Sequence, residues 1–263
     1  MSKIARTEER ALRKSHPEFE DSSSFTGAAA RQMDRLVDDI ERLNRERNEA
    51  LNEVARAHHE VLYRLSVAAD MKDDDTGVHI IRLGFLSEAL ALRLGHTPSK
   101  ARMLRKAAPM HDIGKIATPD HVLKKPGPLN PQEREIMNQH AVQGAEILGQ
   151  SRIPLFKMAA ELALTHHERW DGNGYPYKLA GPDIPISGRM VAVVDFFDAL
   201  TMDRCYRPAL TYDMALRMLA EQSGKAFDPA IVDVFLAHGD DFIVLREKVN
   251  RTKPSFQDLV QAP

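Results

Sequence analysis

Histidines and carboxylates able to hold a metal recur along this chain. His166-His167 sets two neutral-pH ligands ahead of Glu168-Arg169-Trp170-Asp171-Gly172-Asn173-Gly174-Tyr175-Pro176, a glycine-rich loop stopped by proline. His111-Asp112-Ile113-Gly114-Lys115 places a further histidine beside a carboxylate, with a cation one helical turn on. On a helix His111 and Asp112 would point about 100° apart, so they could hold one metal between them, or the carboxylate could bridge two. The apolar neighbours Ala107-Ala108-Pro109-Met110 and Ile113-Gly114 predict burial, and a buried carboxylate requires a metal or a cation. Asp75 and His79 are four apart, which puts both on one helix face together with Arg82; a plain surface pair is the ordinary alternative. His140 taken alone reads as a structural histidine, and His58-His59 as a solvated face. Asp195 interrupts the apolar run Val191-Ala192-Val193-Val194-Asp195-Phe196-Phe197, where metal ligation or a salt bridge to Arg189 would each resolve the cost of burial. Jointly these residues point to two or more metals held by several histidines and bridging aspartates. Such a centre lowers the pKa of a bridging water and clamps a phosphoryl group, and Lys115 is placed to neutralise phosphate oxygens.

The elements that must position these residues look helical. From Leu36 the apolar positions Leu36, Ile40, Leu43, Ala50, Val54, Ala57 and Val61 recur at steps of about three and four, with Arg47 interrupting the seam. That stripe either packs on its own domain or forms a parallel coiled coil. Further helices are predicted over 76–94, 99–116, from the capping-box-like Asn130-Pro131-Gln132-Glu133, and over 153–169, 187–202, 212–222 and 229–238. The expected organisation is a flexible tail over 1–35, an amphipathic connector helix over 36–60, an all-α domain over 61–250 and a C-terminal tail over 251–263.

Composition narrows the function. The chain has 263 residues, 43% hydrophobic and 28% charged, with a net charge of −2. That balance argues against a dedicated nucleic-acid binder. The single cysteine, Cys205, excludes an internal disulfide and leaves any metal site to histidine and carboxylate, ligands that suit iron, manganese or zinc. No stretch has the length and apolarity of a membrane span, and residues 1–20 lack a signal-peptide pattern, so a cytoplasmic protein without membrane contact is expected.

The ordered series His79-x-x-Arg82, His111-Asp112-Ile113-Gly114-Lys115-Ile116, Pro119-Asp120, His140, His166-His167-Glu168, Asp171-Gly172-x-Gly174-Tyr175-Pro176 and Asp195-x-x-Asp198-Ala199-Leu200-Thr201 resembles the HD-GYP subgroup of the HD phosphohydrolase superfamily. The match spans residues 60 to 240 or so. The resemblance implies an HD-type helical bundle and a phosphodiesterase that linearises cyclic di-GMP to pGpG, an activity that in the family often carries on to GMP. Its reaction would be in-line attack by a metal-bridging hydroxide at an iron or manganese centre. It makes His79, His111, Asp112, His140, His166, His167 and Asp195 metal ligands, with Asp112 bridging. It puts Lys115, Arg204, Arg207 and Tyr175 at the substrate. Asp75 stands where many members carry Glu, so two metals are expected, and a third only if Asp75 reaches it. Cys205 stands where proline is usual in the segment carrying Arg204 and Arg207. The partners implied are cyclic di-GMP, a second copy through residues 36–61, and diguanylate cyclases or response regulators. A catalytically poor cyclic-dinucleotide sensor is the rival reading.

Overall fold

The structure is a computed structural model that describes residues 22–72, 77–203 and 208–261, with side chains from residue 27. Its elements are α1 (Ser22–Lys72), α2 (Val78–Arg93), α3 (Pro98–Ala107), α4 (Asp120–Leu123), α5 (Pro131–Leu148), α6 (Pro154–Thr165), α7 (Ile186–Leu200), α8 (Tyr212–Glu221), α9 (Pro229–Ala237), α10 (Gly239–Thr252) and α11 (Phe256–Gln261). Short 3-10 turns lie at Ala108–Met110, Ile113–Ala117 and Gly181–Asp183. No strand occurs among the described residues beyond an isolated bridge between Ser223 and Phe227, so the chain is all-α as expected. No helix among the described residues is long and apolar enough to cross a membrane.

The chain divides into two compact units at Arg56 and Ala57. In the first, α1 runs without interruption through residues expected to be tail, and Leu36, Ile40, Leu43 and Val54 are exposed in the single chain. In the second, the end of α1 does pack, through a different face from the stripe. Val61 stays exposed, whereas His59, Tyr63 and Ser66, at helical spacing, are buried. Tyr63 joins Ile80, Ile81, Val249 and Leu259 in a small core flanked by Phe256. Residues 251–263, expected to be a tail, therefore include α11, whose Leu259 is fully buried. Both features escape a periodicity search because α1 carries two faces and α11 is only a turn and a half long.

His59 is not on a solvated face. Its Nε2 donates to the carbonyl of Lys106 at 3.1 Å, and its ring meets Phe256 edge-on at 5.1 Å. Burial drives its pKa down to about 4, so the folded state keeps it neutral while the unfolded chain protonates it near 6.5. The stability it contributes is complete above 6.5 and is lost as pH falls toward 4, by on the order of 3 kcal/mol. His59→Gln, which keeps a donor but cannot titrate, should flatten that part of the stability curve. Denaturant melts of both proteins at pH 7 and pH 4.5, with chelator present, check this, and parallel losses would refute it.

The main core is built around α7, whose Val191, Val193, Val194 and Phe197 are fully buried against α2, α6, α8 and α9. Capping fixes several helix starts: Thr97 accepts from Lys100 N, Thr211 from Met214 N and Asp228 from Ala230 N. The capping box read at Asn130 and Glu133 forms at the start of α5. One helix ends earlier than its pattern predicts. The stretch 99–116 stops at Ala107 and continues as two 3-10 turns, so His111 and Asp112 sit between those turns and not on an α-helix. Pro109 lacks the N–H that an α-helix would use, and Gly114 brings the next turn against α5.

Candidate metal centre

Two groups of ligand atoms converge where α2, the 108–117 turns, α5, the end of α6 and α7 meet. Asp112, His140, His166 and His167 each offer an atom within 4.8 Å of the others, and so do His79, His111 and Asp195. Asp112 stands between the groups: Oδ1 lies 3.2 Å from His140 Nε2 and 3.4 Å from His166 Nε2, while Oδ2 lies 3.3 Å from His111 Nε2 and 2.7 Å from Lys115 Nζ. Asp195 Oδ1 is 3.3 Å from His79 Nε2 and 3.9 Å from His111 Nε2. The alternative partner for Asp195 does not apply, because Arg189 binds Asp228 at 2.5 Å and the Ile184 carbonyl at 2.9 Å.

The far side of each ring fixes its orientation. His111 Nδ1 meets the Ala108 carbonyl at 3.0 Å, His140 Nδ1 the Met137 carbonyl at 2.6 Å and His166 Nδ1 the Leu162 carbonyl at 2.9 Å. Each carbonyl can only accept, so Nδ1 carries the proton and Nε2 turns its lone pair into the site. These three Nε2 atoms and Asp112 Oδ1 are buried with no hydrogen-bond partner. Left so, each would cost about 1–3 kcal/mol. Divalent metals between the rings and the carboxylates would satisfy all four, and an all-histidine and carboxylate donor set fits iron, manganese or zinc.

Electrostatics agree with that donor set. Burial is the largest influence on His167 and His166 and lowers both pKa values, keeping them neutral. Burial opposes charge on Asp112 and Asp195 too, yet the neighbouring cations and histidines outweigh it and hold both carboxyls below the usual range. For His79 and His111 burial works against the proton, but the adjacent carboxylates more than offset it and raise both. Metal binding must displace those protons.

Three residues that hold the site have no role in the sequence reading, although Asp198 and Glu168 stand in its motifs; the third is Arg246. Asp198 is fully buried and accepts from His79 Nδ1 at 2.7 Å, from Arg82 Nε and Nη2 at 2.7 Å each, and from Arg246 Nε at 3.0 Å. Arg82 thus reaches the candidate ligand His79 through a carboxylate, and Arg246 reaches back from α10 to the same group. The burial argument applied to Asp195 would have flagged Asp198, three residues on in the same apolar helix. Glu168, 3% exposed, accepts from the backbone N–H groups of Tyr177 at 2.7 Å and Leu179 at 3.0 Å, which ties the glycine-rich loop to the histidine pair. That loop lies so close that a Cβ on Gly174 would stand 2.4 Å from Arg169 N and 2.6 Å from the His167 carbonyl. Tyr175 stacks on His167 with ring centroids 4.7 Å apart. Across the site, a Cβ on Gly114 would stand 1.9 Å from the His140 carbonyl oxygen, so the turn carrying Asp112 touches α5 main chain to main chain.

A cavity of about 510 Å³ opens beside the ligands. His167 and Asp195 form one wall, with Tyr175, Phe196, Phe227 and Glu221 among the others. Lys115 is not among its lining residues. Asp75, Arg204 and Arg207, expected to serve metal or substrate, lie outside the described residues, as does Cys205.

An all-helical domain whose paired histidine and aspartate clusters meet at one bridging carboxylate has the form of a metal-dependent phosphohydrolase. The chain belongs to the HD domain family, which matches residues 16–231, and it carries the GYP form of the family's loop at Gly174-Tyr175-Pro176. Among curated relatives it is 44% identical over 187 residues to the 3'3'-cGAMP-specific phosphodiesterase 2 of Vibrio cholerae, covering 71% of this chain and 36% of that protein. It is 45% identical over 177 residues to a cyclic di-GMP phosphodiesterase of Thermotoga maritima, covering 67% of this chain and 48% of the other. Over 187 residues it is 43% identical to the cyclic di-GMP phosphodiesterase response regulator RpfG of Xanthomonas campestris, covering 71% and 50%. The chain thus spans about a third to a half of the length of these relatives. The crystal structure of a cyclic GMP-AMP-specific phosphodiesterase of Vibrio cholerae, V-cGAP3, has the same fold, with a TM-score of 0.56 at 20% identity over 78% of this chain and 53% of that one.

Proposed function

We propose that the chain is a metal-dependent phosphodiesterase that opens cyclic di-GMP to pGpG and proceeds to GMP. The observation that carries this reading is the set of buried, partnerless ligand atoms on His111, His140, His166 and Asp112, turned toward one another beside a cavity of about 510 Å³. Asp112, His140, His166 and His167 would hold one metal and His79, His111 and Asp195 a second, with Asp75 available to a third. Iron or manganese suits these ligands. When bound, the metals supply Lewis acidity toward the phosphoryl oxygens and a water acidified to act near neutral pH. The protein's own groups do the rest. Asp112 and Asp195 keep the centre anionic, Lys115 offsets charge on the phosphate, and Tyr175 with the loop Glu168 anchors closes one side. Arg204 and Arg207 would hold the phosphates or guanines. The exposed stripe from Leu36 to Val61 would pair two copies, and diguanylate cyclases or response regulators are the heterologous partners this reading allows.

A second substrate is favoured by one observation, the 44% identity to a protein named for 3'3'-cGAMP. Anaerobically purified chain, loaded with iron or manganese, should convert cyclic di-GMP to pGpG and GMP when products are resolved by chromatography, with 3'3'-cGAMP as the parallel substrate. Turnover of 3'3'-cGAMP alone would replace the substrate, and tight binding of either nucleotide without product would make the chain a sensor.

A further inference from the structure

The 3-10 turn Ile113–Ala117 starts from Asp112, carries Lys115 at its centre and ends with the Lys115 carbonyl accepting from Thr118 N at 3.1 Å and the carbonyls of Ile116 and Thr118 close by. Those carbonyls receive a side chain from elsewhere. Lys72, the last residue of α1, directs Nζ at the carbonyl oxygens of Thr118 at 2.5 Å, Ile116 at 3.0 Å and Lys115 at 3.5 Å. Asp120 Oδ1 stands 3.4 Å from the same ammonium. A surface lysine with one carboxylate would be worth little, but this one is anchored mainly by carbonyls, with its side chain only 27% exposed. A cation at the carbonyl end of a helical turn also meets the negative end of its dipole.

The opposite end of the turn is fixed by contact. Gly114 presses against the His140 carbonyl and against Gly144 N of α5, leaving no room for a side chain. The segment bearing His111, Asp112 and Lys115 is therefore held by main-chain contact at its start and by Lys72 at its finish. We propose that Lys72 is a positioning residue for the phosphodiester cleavage, a strap from α1 that sets where Lys115 and Asp112 stand relative to the other ligands. This rests on the phosphodiesterase reading. Because Lys72 belongs to the helix that begins at Ser22, the placement of the last turn of α1 is imposed directly on the turn that carries the bridging carboxylate.

The test uses the full chain at saturating metal, as wild type, Lys72→Met and Lys72→Arg, with cyclic di-GMP and the generic diester bis(p-nitrophenyl) phosphate. Lys72→Met should lower kcat on both diesters by roughly 10- to 100-fold, with KM and metal content within about twofold of wild type. Lys72→Arg, which restores donors to the carbonyls, should recover most of that loss, a rescue that packing alone would not produce. A folded Lys72→Met with wild-type kcat overturns the proposal, and so does a loss that Lys72→Arg leaves unchanged. If wild type cleaves only the generic diester, the cyclic di-GMP reading fails while Lys72 is judged on the diester. A wild type that cleaves neither overturns both.

Discussion

Asp112→Ala should strip metal from both clusters and lower diester cleavage by roughly 1,000-fold, the rate equivalent of several kcal/mol at about 1.4 kcal/mol per tenfold. The expectation follows from where its two oxygens point. Oδ1 faces His140 and His166 in its own group, while Oδ2 faces His111 in the other. His167→Ala provides the contrast, since His167 belongs to one cluster only. It should reduce metal content by at most one ion per chain while Asp112→Ala removes more. Metal analysis of the purified variants, set beside turnover, decides the matter. Equal losses from the two variants, or an Asp112→Ala protein within threefold of wild type, would mean that Asp112 does not join the clusters.

The second large effect lies behind the ligands. Asp198→Asn leaves Arg82 and Arg246, whose side chains are 6% and 5% exposed, facing an amide in place of a carboxylate. Breaking a buried charge network on one side costs about 3–5 kcal/mol. For a domain of this size that is a fall in Tm of roughly 6–20 °C. The pH dependence has a definite sign. Burial works against the Asp198 charge, but His79 and Arg82 more than offset it and hold the carboxyl well below its usual value. A depressed carboxyl contributes stability above the unfolded pKa, near 3.9, and loses it as pH falls toward the folded value. The gap between wild type and Asp198→Asn should therefore be widest near neutrality and narrow below about pH 4. Metal affinity should also drop by roughly 10- to 100-fold, because the His79 ring exchanges its carboxylate partner for a neutral amide that holds Nδ1–H less strongly. A variant as stable as wild type at pH 7, with unchanged metal affinity, would refute this role.

Part of the site is legible in the amino-acid sequence from residue type and surroundings: the His166-His167 pair and His111-Asp112 beside apolar runs, and Asp195 inside one, point to a metal. His79 and His140 look ordinary by themselves and join the expected set through the family resemblance, and all seven residues, from His79 to Asp195, fall in one of the two clusters. The helices are legible for a similar reason: capping residues such as Asn130 and apolar repeats act over short stretches of chain. What escapes depends on distance or on main chain. Arg246 serves Asp198 from 48 residues away, and nothing local to α10 announces it. Glu168 and Lys72 satisfy backbone groups, which carry no residue code. The break of the helix at Ala107 is signalled by Pro109, but the apolar pattern runs on through it and masks the change of pitch.

Main-chain contact at Gly114 has a consequence for how the centre meets different ions. Asp112 and His140 are separated by a distance that two touching backbones dictate, with no flexible side chain between them to absorb change. A metal held there would have to fit its bond lengths to that gap, so rigidity as well as donor type would select among ions.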